Sequence, residues 1–108
     1  PNIQVMAEIS DSSAKLAHGL KFRQSLDRSE GMLFDFKKEA LHPMWMKNTR
    51  IPLDLIFIDS SGEIVDIKKG IPLSEFKLYP ERLSRYVLEV NRGFCAELGI
   101  NVGDKVSL

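Results

Sequence analysis

Asp54 and Glu89 stand out among the carboxylates because each interrupts an otherwise apolar, strand-like run. In Leu53-Asp54-Leu55-Ile56-Phe57-Ile58, alternation puts Asp54 on one face with Ile56 and Ile58. A carboxylate on such a face needs a cation or several donors to offset its lost hydration, and Lys47, Arg50 and Arg23 are the candidate cations. In Arg85-Tyr86-Val87-Leu88-Glu89-Val90-Asn91, Glu89 shares its face with Arg85, Val87 and Asn91. A cross-strand ion pair with Arg85 or another arginine accounts for it. If Asp54 and Glu89 instead faced one another across an open cleft at roughly 5 to 10 Å, they would be the acid and base of a small hydrolase or lyase acting on a saccharide-like substrate.

A second constellation is Pro43-Met44-Trp45-Met46-Lys47-Asn48-Thr49-Arg50, which holds the sole tryptophan. Alternation here points Met44 and Met46 inward and Trp45 and Lys47 outward. An outward tryptophan beside a cation and an amide makes an aromatic wall with polar donors, suited to a sugar or a small anion. Packing in the core explains a lone tryptophan equally well. The candidate ligand-binding set is therefore Trp45, Lys47, Asn48, Asp54 and Arg23, walled by Met32 and Met46. Asp54 in this reading is either a polar floor or a tie between the tryptophan loop and the first helix.

Other chemistries find less in the sequence. His18 and His42 lie on different segments and Cys95 stands alone, so no metal set, disulfide or cofactor is expected. Asp59, Ser61 and Glu63 alternate around Gly62 as in a hairpin turn and lack the length of a calcium loop. Cys95 follows Phe94 at an expected helix start, where the dipole would lower its pKa, yet a single cysteine reads first as a core residue. No serine sits in a nucleophile-elbow motif. The 15 basic and 15 acidic residues cancel, and the longest basic clusters are the pairs Lys37-Lys38 and Lys68-Lys69. That argues against nucleic acid and leaves a small molecule or a protein as the partner, the latter through the edge of Trp45. No run approaches the roughly 18 apolar residues of a membrane span, and no basic-then-apolar leader is present. Compartment and oligomeric state stay open.

The elements that must position these residues follow from periodicity. Ile3, Val5, Ala7 and Ile9 alternate with Asn2, Gln4, Met6 and Glu8, as in a strand with one face on a core. Ser10-Asp11-Ser12-Ser13 offers N-cap oxygens to a short helix over 14–18 that Gly19 ends. Gly31 to Phe36 reads as a strand followed by a polar connector, 37–42. Leu53 to Asp59 is apolar on both faces, as in a central covered strand, and turns at 59–62 into its partner, 63–68. A long ordered loop spans 70–84, a strand 85–91, one or two helical turns 93–98 stopped by Gly99, and a closing strand through Val106 and Leu108. Together these predict one domain over 1–108, mainly β: an antiparallel sandwich or partly closed barrel with two short helices.

Motifs along nearly the whole chain resemble the domain-of-unknown-function 192 family. They are His18-Gly19-Leu20-Lys21-Phe22-Arg23, Gly31-Met32-Leu33-Phe34, Trp45-Met46-Lys47-Asn48-Thr49, Ile51-Pro52-Leu53-Asp54, Tyr86-Val87-Leu88-Glu89 and Gly99-Ile100-Asn101-Val102-Gly103-Asp104. The resemblance implies a compact jelly-roll-like β fold and that many bacterial relatives are exported behind a leader; it implies no known reaction. Lys21 departs from the pattern, where family members often carry an apolar residue such as methionine.

Overall fold

A computed structural model describes residues 3–108. Asn2, expected on the outward side of the first strand, lies outside them. The order is β1 (Met6–Ser10), α1 (Ser13–His18), β2 (Glu30–Ala40), β3 (Leu53–Ile58), β4 (Ile64–Gly70), β5 (Ser84–Asn91) and α2 (Phe94–Leu98). The strands form one open five-stranded sheet, ordered β1-β2-β5-β3-β4, that does not close into a barrel. The β1–β2 pair is parallel, because α1 and the chain after it carry β1 across to β2 rather than turning back in a hairpin. The other neighbours are antiparallel. The fold is mainly β with two short helices, as expected, and both faces of its single sheet are covered by helix and loop. No helix among the described residues is long and apolar enough to cross a membrane.

Local chemistry explains the element ends. Ser12 caps α1, accepting the Lys15 N–H at 3.2 Å, and Gly19 stops it at φ +53°. The strand expected to end at Phe36 continues to Ala40 through a bulge. Lys37 adopts φ +71° there, and the Asp35 carboxylate holds it by accepting its N–H at 2.8 Å. At the chain's end, the expected closing strand contracts to a bridge between Glu63 and Lys105. It is preceded by a turn in which Asp104 accepts the Asn101 N–H.

Every residue of β3 is buried, since the strand is central and both its faces are covered. One face carries Phe34, Leu53, Leu55, Phe57 and Val87 beneath Leu20, Met44 and Met46. The other carries Leu33, Ile56, Ile58, Leu88 and Val90 beneath Phe94 and Cys95. The β3–β5 register places Leu55 opposite Glu89 and Asp54 opposite Val90. Directly opposed residues share a face, so Glu89 lies on the Leu55 face and Asp54 on the reverse.

Candidate functional site

That register separates the two carboxyls that the sequence offered as an acid–base pair. Asp54, 4% exposed, finds neither Lys47, Arg50 nor Arg23. Its Oδ2 accepts the backbone N–H of Cys95 at 3.1 Å, in the first turn of α2. Gly93, the N-cap of α2, has no side chain to do this. Asp54 thus caps the helix from 41 positions away and ties α2 to β3. Asp54→Ala is expected to lose about 1–3 kcal/mol of stability, with faster hydrogen exchange at the Cys95 amide. Asp54→Asn keeps an acceptor and is expected to lose less; equal losses for the two variants would contradict the capping role.

The same packing silences Cys95. Burial first, then the Asp54 charge and its hydrogen bond, push the thiol up to about 12, the reverse of the dipole-lowered nucleophile that its position suggested. Among the described residues no group of three or more His, Cys, Asp or Glu side chains could hold a metal ion.

Arg23 is drawn elsewhere as well. It makes a forked pair with Glu8 of β1, including a contact of 2.9 Å, and this pair holds the Glu8 carboxyl below its ordinary value. Arg85 does not reach Glu89 either: it forks onto Asp35, which stands opposite Tyr86 in the β2–β5 register, at 3.0 and 3.1 Å. Asp35 is held low in consequence. Four residues of strand, roughly 13 Å, separate Arg85 from Glu89.

Glu89 is left alone. It is 4% exposed, and its carboxyl has no hydrogen-bond or ion-pair partner among the described residues. Desolvation pushes its pKa from 4.5 up to about 8, so the group is mainly a neutral acid at pH 7. It lines a cleft of about 130 Å³. The chain from Leu16 to Lys21 forms one wall, Phe34 and Phe36 of β2 a second, and Pro43, Met44, Trp45 and Thr49 a third. Glu89 is the one acidic residue in that lining.

The tryptophan segment is built to stand over this cleft. Met44 and Met46 are buried at 9% and 1%, pointing inward as alternation requires, while Trp45 is half-buried. Met44 exchanges backbone hydrogen bonds with Leu78 at 2.9 and 2.7 Å, and the Met46 N–H donates to Ser74 at 3.0 Å. The next turn needs Asn48 at φ +60°, a conformation asparagine tolerates. The Asn48 and Thr49 carbonyls accept the N–H groups of Phe22 and Leu73, each at 2.9 Å. Phe22 and Leu73 themselves sit at φ +66° and +65°, where a bulky side chain is strained. Three non-glycine residues in this conformation, from three separate loops, are thus joined at the 48–49 turn, and such residues cluster at sites whose geometry is held for use.

Of the five ligand-binding candidates, the structure therefore brings Trp45 into the cleft and Lys47 beside it, with Lys47 Nζ 5.2 Å from the ring centroid. Asn48 shapes the turn, and Asp54 and Arg23 are engaged elsewhere. Residue patterning marks Glu89 only as an acid–base candidate and does not put Lys21 in the site, although its Nζ lies 5.8 Å from the Trp45 centroid. The departure from the family pattern at Lys21 was its one visible signal.

Comparison with known proteins agrees with this architecture. The family model DUF192, described as uncharacterized ACR, matches residues 2–108. An uncharacterised UPF0127 protein of Pyrococcus furiosus is 27% identical over 110 residues, covering 96% of this chain and 87% of its own. Its Pyrococcus abyssi counterpart is 30% identical over 105 residues, covering 92% and 82%. A crystal structure of a Novosphingobium aromaticivorans protein of unknown function superposes with TM-score 0.91 at 39% identity, over 94% of this chain and 74% of that one. A Sinorhizobium meliloti structure, described as a candidate transcription regulator, gives 0.89 at 38% identity, over 92% and 78%.

Proposed function

The chain belongs to the DUF192 family, for which no activity is established, and from that premise we propose that it is a non-enzymatic binding protein for a small hydroxylated ring, saccharide-like in character, held in the Trp45–Glu89 cleft. The observation that carries this reading is the Glu89 side chain, 4% exposed, whose carboxyl has no partner among the described residues and reaches the cleft lining. A buried polar group without a partner is costly, and a ligand that hydrogen-bonds it recovers that free energy only when bound. Trp45, Phe34 and Phe36 supply the aromatic surface on which the apolar face of a sugar ring packs. The volume of about 130 Å³ is close to that of a cavity that takes one benzene-sized ring and leaves no room for a chain of them.

Binding is favoured over hydrolysis because glycoside cleavage uses two carboxyls and the cleft lining holds one. Asp54 lies on the reverse face. Asp66, which does share the Glu89 face, is occupied by Lys68 at 3.4 Å and by the Glu81 N–H at 2.9 Å. The cancelling charges of the chain speak against the polyanion that a DNA regulator would bind.

The test is a thermal-stability screen of the parent and of Trp45→Ala against monosaccharides, nucleotides and small anions. A sugar should raise the parent's midpoint by mass action and fail to raise that of the variant, whose affinity is expected to drop at least about tenfold. Turnover of an aryl glycoside that Glu89→Gln abolishes would replace this reading with the enzymatic one.

A further inference from the structure

The lysines around Trp45 say which kind of ring the cleft selects. Among the described residues, three lysines are half-buried: Lys21, Lys47 and Lys68. Lys68 is neutralised by Asp66 at 3.4 Å and Glu81 at 3.5 Å. Among the described residues no carboxylate lies within 4 Å of Lys21 or Lys47, and both stand over the same indole, at 5.8 and 5.2 Å from its centroid. A half-desolvated ammonium is usually paired, and the quadrupole of the ring compensates only part of each charge. Two such cations on one ring leave an uncompensated positive field at the cleft mouth.

We infer that the cleft selects a hydroxylated ring bearing an oxyanion, a carboxylate or a phosphate, which Lys21 and Lys47 pair at the mouth while Trp45 carries the ring and Glu89 hydrogen-bonds its inner hydroxyls. This rests on the reading of the cleft as a ligand site and adds the charge of the ligand. The charged or titratable groups facing Glu89 from the lining are His18 and Lys21; its neighbours across the sheet, Met32 and Leu55, are apolar. Burial keeps Glu89 itself mainly protonated at pH 7, so it adds a donor without opposing an anion.

Isothermal titration at pH 7 with glucuronate, glucose 6-phosphate, glucose and glucosamine tests this, since the four share a ring and differ in charge. At least one of the two anionic sugars should bind about tenfold tighter than glucose, as expected for charge-assisted hydrogen bonds. Which of the two binds tighter identifies the oxyanion. Lys21→Met combined with Lys47→Met should narrow that preference to about twofold or less and make affinity insensitive to salt, while Lys38→Met combined with Lys105→Met, the same charge change outside the cleft lining, should preserve it. Glucose binding as tightly as both anions, or glucosamine binding tightest, would overturn the charge selection and leave the ring site standing. If none of the four binds, both this inference and the saccharide reading fall.

Discussion

Replacing Glu89 by glutamine is expected to stabilise the protein, by roughly 3 kcal/mol at pH 7 and roughly 5 at pH 9, as one pKa unit corresponds to about 1.4 kcal/mol. The sign follows from proton binding. Below pH 4.5 the carboxyl is neutral in folded and unfolded chains alike, and its ionisation contributes nothing to the difference. Between 4.5 and about 8 the unfolded chain has released the proton while the folded one retains it. Raising the pH therefore drains stability from the parent through that window, and the loss levels off above it. Glutamine has no proton to lose, so the advantage of the variant should be small at pH 4 and grow until about pH 8. Urea titrations of both proteins across this range give the curve directly. A variant less stable than the parent at pH 8 would mean that Glu89 is satisfied in the fold. A residue that weakens its own fold at neutral pH is what a binding site retains when stability and function conflict.

Leu55→Ala is expected to lose about 2–5 kcal/mol, the range for emptying a fully buried leucine site. Leu55 is 0% exposed at the centre of β3 and pairs directly with Glu89 across the ladder. Deleting its side chain opens space beside the carboxyl, and a polar group on the cavity wall allows water to enter where a purely apolar cavity would stay dry. The pKa of Glu89 should then fall from about 8 towards the ordinary carboxylate range, so that the pH-dependent part of the instability shrinks while the total instability grows. Val65→Ala offers the comparison: it lies in the same core cluster and should cost less because one carbon atom fewer is removed. If Leu55→Ala left the pH dependence of stability unchanged, the apolar surroundings of Glu89 would not be what raises its pKa.

Much of this architecture is legible in the sequence. The alternation of Tyr86, Leu88 and Val90 against Val87 and Glu89 gives the two faces of β5 correctly, and the doubly apolar Leu53–Ile58 run identifies the buried central strand. Inward Met44 and Met46 with a half-exposed Trp45 follow from the same period of two. Periodicity sorts residues within one strand, but the pairing register decides which face of β5 meets which face of β3. That register sets Asp54 and Glu89 on opposite sides. The partners of the charged residues are also non-local: Arg85 with Asp35 is a contact across 50 positions, and Asp54 with the Cys95 amide one across 41. A backbone amide as the partner of a buried carboxylate leaves no mark in the sequence. Lys21 was visible only as a polar residue where an apolar one is expected, and folding alone brings it to Trp45.

The central claim is that Glu89 is a neutral, unpartnered acid on the wall of the Trp45 cleft, and titration of its side-chain carboxyl carbon by NMR from pH 3 to 10 tests it most directly. The account predicts a single ionisation near 8 that shifts further when a sugar ring hydrogen-bonds the protonated acid. An ionisation at or below 4.5 would show the carboxylate to be solvated or paired within the fold, and would contradict the site as described.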